Sequence, residues 1–132
     1  MYSVRTLAKL SVNPNIIAMF FRTCVTPVLL YGSVAFYGLL TKILYKELTN
    51  SLCQCRKFIK NSSIVLDDYD IIWKKNIISL AAKIVKDETH PLNDCYNIMP
   101  SGRRYRMPRI RTARFKHTFI PTSVTLLNER WL

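Results

Sequence analysis

Acidic residues are scarce in this chain. Eight Asp and Glu stand against twenty Lys and Arg among 132 residues, a formal net charge of +12. A chain so basic seeks polyanions, either nucleic acid or an anionic membrane. Histidine and glycine are scarcer still, with two and three copies. Gly32, Gly38 and Gly102 lie far apart, so the glycine-rich turn of a Rossmann-type methyltransferase is missing. A non-haem iron dioxygenase centre needs a His-x-Asp and a distant His. His90 is followed by Pro91-Leu92 and His117 by Thr118-Phe119, so neither qualifies. No Ser-His-Asp or Cys-His arrangement is suggested by spacing, and two histidines leave few general bases. The four cysteines show no extracellular framework spacing, and no cleavable signal peptide precedes them. Reduced thiols in the cytosol or nucleus are therefore expected. Cys53-x-Cys55 is not the Cys-x-x-Cys that tetrahedral zinc usually takes, and on a helix those two side chains point to different faces. These absences predict a chain with no catalytic residue, metal or cofactor of its own. Strand signal is also thin. Phe119–Val124 is the best candidate, and Pro121 weakens it. Repeats and low-complexity tracts are missing.

An apolar share of 49% is enough for a core. Its distribution predicts helices. Asn13-Pro14 reads as a cap followed by a proline in the first turn. From Ile16 to Leu40 the chain is strongly apolar, with Arg22 the one charge. A membrane span needs about 20 apolar residues. Here Arg22 and Pro27 interrupt the run and Thr23, Thr26, Gly32, Ser33 and Gly38 dilute it, so a buried hairpin or kinked helix is expected rather than a span. Pro27 should end or kink the helix one turn before it. Leu44, Leu48, Leu52, Cys55 and Ile59 make one helical stripe, with Lys42, Lys46, Lys57 and Lys60 off it. Asn61-Ser62-Ser63 breaks that pattern. Asp67-Asp68 invites comparison with the metal-binding pair of a polymerase palm, but the position two before it is Val65 and a helical pattern follows at once. The pair reads better as an N-cap and first-turn acids. Trp73, Ile77, Leu80, Ala81 and Ile84 form the next stripe, ending near Asp87-Glu88. His90 is expected to cap or pack. Val124, Leu127 and Trp131 suggest a short terminal helix.

The charge excess lies at the C-terminal end. Residues 100–132 carry eight basic residues and one acidic, net +7, against twelve and seven, net +5, for residues 1–99. From Met99 to Pro121 there are seven basic residues and no acid. Pro100, Pro108, Pro121 and Gly102 rule out one continuous helix. The basic side chains should therefore sit on an extended or looped segment, interleaved with Tyr105, Phe115 and Phe119. Guanidinium groups pair with phosphate, and aromatic rings stack on unpaired bases. The candidate nucleic-acid-binding residues are Arg103, Arg104, Tyr105, Arg106, Arg109, Arg111, Arg114, Phe115 and Lys116. The competing expectation is a solvated tail that only confers solubility.

Pro100-Ser101-Gly102-Arg103-Arg104-Tyr105-Arg106, then Arg111-Thr112-x-Arg114 and Ser123-Val124-x-Leu126-Leu127-Asn128, resemble the C-terminal end of LINE-type (non-LTR) retrotransposon polyproteins. Phe20-Phe21 and Val28-Leu29-Leu30-Tyr31-Gly32 resemble the first long helix of that segment, and His90-Pro91-Leu92 resembles the D-x-x-H-P-L before its Pro-Ser-Gly-Arg-Arg motif. The helical part also resembles the N-terminal segment of the AlkB-homologue tRNA hydroxylase–methyltransferase. The first resemblance implies a fragment that follows a reverse transcriptase domain and grips template RNA or target DNA, and it makes Met1 an internal position of a longer protein. A module packing on the polymerase thumb, or a decayed element fragment, remain as alternatives. The expected architecture is all-α: a small helical domain of three to five helices over residues 1–98, with an irregular basic arm over 99–132. The protein is expected inside the cell, in nucleus or cytoplasm, with nucleic acid rather than membrane as its partner.

Overall fold

The computed structural model describes residues 2–130. It is helical, as expected, with more segments than three to five and no strand longer than one isolated bridge among the described residues. The chain parts into two compact units: residues up to Tyr31 together with Leu40–Ile71, and Gly32–Leu39 together with the chain from Ile72 on. This division does not coincide with the expected one at residues 98 and 99. Residues of the basic stretch share a core with the helix that precedes them.

In the first unit, α1 (Tyr2–Lys9) and α2 (Pro14–Phe20) pack on each other and on α5 (Lys42–Phe58). Asn13 caps α2, its Oδ1 accepting from Asn15 N–H at 2.9 Å, and Pro14 occupies the first turn, where its missing N–H costs nothing. Pro27 does not end the helix. The chain runs on through a π-helical turn, Phe21–Val25, into α3 (Thr26–Leu29). Thr26 N–H reaches back five residues to the Phe21 carbonyl, and this wider turn admits the proline ring that an α-turn would exclude. α5 starts at Thr41, whose Oγ1 accepts from Leu44 N–H. It buries Leu52 and Cys55, with Ile59 just beyond its end. The N-terminal part of the predicted stripe is uncovered, and Leu44 is 50% exposed. Val4, Ile17, Ala18, Phe21, Leu30, Leu66 and Tyr69 are buried with them in this unit. Asn15 Oδ1 accepts from Ser62 Oγ and Ser63 N–H, tying the break after α5 to α2.

Asp68 stands at the start of α6 (Tyr69–Lys86), its carbonyl accepting from Ile71 N–H. Its carboxylate pairs with Arg56 at 2.8 Å, and the same guanidinium donates to the Leu66 carbonyl. The first-turn acid is Asp70, which accepts from Tyr45 Oη at 2.6 Å. Asp67 and Asp68 thus sit at a helix entrance rather than on a β-hairpin.

In the second unit, α4 (Ser33–Phe36) and a 3-10 turn, Tyr37–Leu39, bring Tyr37 beside Trp73, with ring centroids 5.1 Å apart. A Cβ on Gly38 would collide with the His117 carbonyl oxygen and meet Trp73 Cζ2 at 3.3 Å, so only glycine fits there. α6 buries Ile77, Ala81 and Ile84, while Leu80 turns outward at 39% exposure. Its C-terminal carbonyls are taken by Asn93, whose Nδ2 donates to Ile84 and Asp87. His90 accepts Leu92 N–H on Nδ1 at 3.1 Å, closing a local turn. α7 (Ala113–Lys116) and α8 (Phe119–Glu129) follow. The strand candidate at Phe119–Val124 is therefore a helix. Pro121 falls in its first turn, where a proline is tolerated, and is buried. Val124 and Leu127 close on Ala81, Ile84 and Tyr96. Trp131 lies outside the described residues.

Candidate nucleic-acid interface

The basic stretch begins as a hairpin. Met99 N–H donates to the Arg104 carbonyl at 2.8 Å and Arg106 N–H to the Asn97 carbonyl at 2.7 Å, flanking an antiparallel bridge between Ile98 and Tyr105. Gly102 N–H closes the turn onto the Met99 carbonyl at 2.8 Å. Pro100 supplies a fixed φ at the second position of this turn, and Gly102 adopts φ +68 at the fourth. The motif Pro100-Ser101-Gly102-Arg103-Arg104 is thus a turn with its own chemistry, and it holds Arg103 and Arg104 out at the tip.

Asn128 locks this hairpin to α8. Its Oδ1 accepts from Tyr105 N–H at 2.8 Å and its Nδ2 donates to the Tyr105 carbonyl at 3.0 Å. One side-chain amide thereby does the work of a neighbouring strand. The Tyr105 ring lies edge-on to Tyr96, with centroids 6.1 Å apart and planes at 88°. Tyr96 Oη sits 2.7 Å from Ser123 Oγ, which gives its own proton to the Ile120 carbonyl. Burial raises the Tyr96 phenol above its ordinary range, opposed by this hydrogen bond.

All seven basic side chains, Arg103, Arg104, Arg106, Arg109, Arg111, Arg114 and Lys116, are exposed. No Asp or Glu occurs between Asp94 and Glu129 to neutralise them. Arg109 and Arg111 lie on the irregular chain after the hairpin. Arg114, Phe115 and Lys116 depart from the expected extended path. They form α7, one turn of helix capped by Thr112 Oγ1, which accepts from Phe115 N–H at 3.1 Å. Phe115 is 38% exposed and open to a partner, whereas Tyr105 is half-buried and engaged by the protein itself. Of the two rings expected to stack, Phe115 is the one so presented.

The structure gathers these residues in two places. Arg103 and Arg104 border a small depression with Ile98 and Tyr105. Lys116 borders a groove of about 280 Å³ with Lys74, His117, Met107, Ile110 and Glu129. Lys74, His117 and Glu129 were not among the expected residues. Lys74 comes from α6, and periodicity shows only that it is off the buried stripe. Among the described residues no three His, Cys, Asp or Glu side chains gather as a metal site. No single helix among them is long and apolar enough to cross a membrane. The thiols of Cys24, Cys53 and Cys95 are exposed, while burial pushes the Cys55 thiol up to about 11. No family model matches the sequence, and no curated protein or solved structure is detectably similar to it.

Proposed function

We propose that this chain is a non-catalytic nucleic-acid-binding segment, an accessory to a polymerase domain carried elsewhere in a longer protein, and that it grips template RNA or target DNA in the nucleus or cytoplasm. The observation that carries the reading is the exposure of seven cationic side chains on a short, acid-free stretch whose backbone is pinned by the Pro100–Gly102 turn and by Asn128. A solubilising tail needs charge but no such anchoring. Arginine forks suit phosphate oxygens, and Phe115 offers a face on which a base can stack.

The test is a salt titration of binding to single-stranded RNA and DNA. Affinity should fall by roughly 0.7 log units per log unit of salt for each phosphate contact. Replacing Arg103, Arg104 and Arg106 together with Ala should flatten that slope by about two units if all three touch phosphate. An unchanged slope would return the arm to the role of a solubilising tail.

A second reading has its own observation. Tyr2, Leu10, Ile16, Met19, Val28 and Tyr31 are large, apolar and between 59% and 86% exposed in the first unit. Exposed apolar surface of this kind marks interfaces when it is contiguous. In this reading the helical part packs on a polymerase thumb and the arm adds only charge.

A further inference from the structure

We propose that the groove bordered by Lys74, Met107, Ile110, Lys116, His117 and Glu129 seats one unpaired nucleotide, which makes single-stranded nucleic acid the substrate class of this interface. The inference rests on the nucleic-acid reading above and adds to it a place for a base. Arginines on a surface track a backbone and do not by themselves distinguish a single strand from a duplex. A groove lined by both cations and an apolar shelf does.

Three features of the groove point the same way. Its volume of about 280 Å³ is just under the range of small-ligand pockets, room for one base. Lys74, Lys116 and His117 make no side-chain hydrogen bond or ion pair among the described residues, so their donors are uncommitted to the protein. Met107 and Ile110 are 41% and 40% exposed and offer an apolar surface for the face of a base, a contact that a base inside a duplex cannot make. Phosphate then falls to Lys116 and Lys74. Glu129 cannot take phosphate. Its carboxylate accepts from N–H donors, and the exocyclic amino group of cytosine is such a donor, where uracil presents a carbonyl.

The experiment uses the full chain labelled at methionine methyl carbons. Met107 reports on the groove, and Met19, in the first unit, serves as the internal reference. The probes are CMP, UMP, inorganic phosphate, a single-stranded oligonucleotide and a blunt duplex. Met107 should shift most with CMP, less with UMP, and least with phosphate alone. Glu129→Gln should bring the CMP and UMP responses together. Changing Met107 and Ile110 together to Ala removes apolar contact area, and should lower single-strand affinity severalfold with the salt slope unchanged and leave duplex affinity alone. Both side chains are exposed enough that the variant keeps its core. If this pair leaves single-strand affinity unaltered and Met107 is silent to CMP, while the arginine triple variant still flattens the salt slope, the groove is not a nucleotide seat and the arm reading survives. A Met107 shift as large with phosphate as with CMP would likewise overturn the proposal. If no nucleic acid binds at all, both readings fall together.

Discussion

Asn128→Ala isolates the lock between α8 and the basic hairpin. The change removes two hydrogen bonds, Oδ1 from Tyr105 N–H at 2.8 Å and Nδ2 to the Tyr105 carbonyl at 3.0 Å. Each bond of this kind contributes about 1 kcal/mol net. The site is half-buried, so water partly replaces the lost partners and about 1–2 kcal/mol of local stability should go. The Tyr96–Tyr105 ring contact and the bonds of Met99 and Arg106 across the hairpin remain, so the segment should open more often without unfolding the unit. Amide hydrogen exchange is the assay. Tyr105 and Arg106 should exchange roughly 5–30 times faster, the factor that 1–2 kcal/mol sets, while Ile77 and Ala81 in α6 should keep their protection. Asn128→Asp keeps the acceptor but sets a carboxylate oxygen against the Tyr105 carbonyl, and should loosen the hairpin at least as much as Ala. Unchanged exchange at Tyr105 in the alanine variant would refute the lock. In the proposed function the same variant should weaken nucleic-acid binding with little change in salt slope, since the arginines are all still present but less well placed.

Gly38→Ala should be severely destabilising, because the new methyl collides with the backbone carbonyl of His117 rather than with a side chain that can swing away. Overpacking of this kind costs about 1–3 kcal/mol, and a chemical-denaturation midpoint equal to wild type would refute it. A thiol reagent at neutral pH should find Cys24, Cys53 and Cys95 quickly and Cys55 only after denaturation, since Cys55 is fully buried and its thiol stays protonated up to about 11. The sign of the pH effect follows from that shift. The unfolded thiol ionises near 9.0 and the folded one near 11, so the stability from Cys55 is complete below 9 and is lost as pH rises through 11. Tyr69 and Tyr96, both raised by burial, act in the same direction. Cys55→Ser should therefore lose less stability than wild type between pH 9 and 11, and an equal loss in the two would contradict a buried setting for that sulfur.

The helical class, the Asn13-Pro14 start and the α5 stripe through Leu52, Cys55 and Ile59 were legible because each is local: a period or a cap carried by neighbouring residues. What was not legible depended on residues far apart in the chain. Asn128 was visible only as the last letter of a motif, because its partner, the backbone of Tyr105, leaves no mark in a side-chain pattern. Tyr105 looked like a stacking ring because it stands between arginines, yet it is half-buried and packs at a right angle to Tyr96, nine residues earlier. The strand candidate at Phe119–Val124 failed because alternation over so few residues does not distinguish a strand from a buried first helical turn, and the packing of Val124 and Leu127 on α6 decided it. The groove joins Lys74 to residues more than thirty positions later, a distance no spacing rule spans.

The π-helical turn at Phe21–Val25 has a consequence for how the first long helix keeps phase. Counting on from Ile17 and Phe21 at about 3.6 residues per turn would send Cys24 and Val28 inward. Instead Cys24 is exposed and Val28 is 75% exposed, while Val25 and Leu29 are half-buried and Leu30 is buried. The helix has slipped by one residue, as a thread does when a single extra stitch is taken up in one loop. A π turn is an α-helix holding one residue too many, so removing Cys24 while replacing Pro27 with Ala should give an ordinary helix whose later side chains keep their present bearings. Removing a residue from α2 instead would rotate Phe21 out of the core. One position in this helix is therefore expendable in length although its neighbours are not, and a length difference falling there would be silent to the fold.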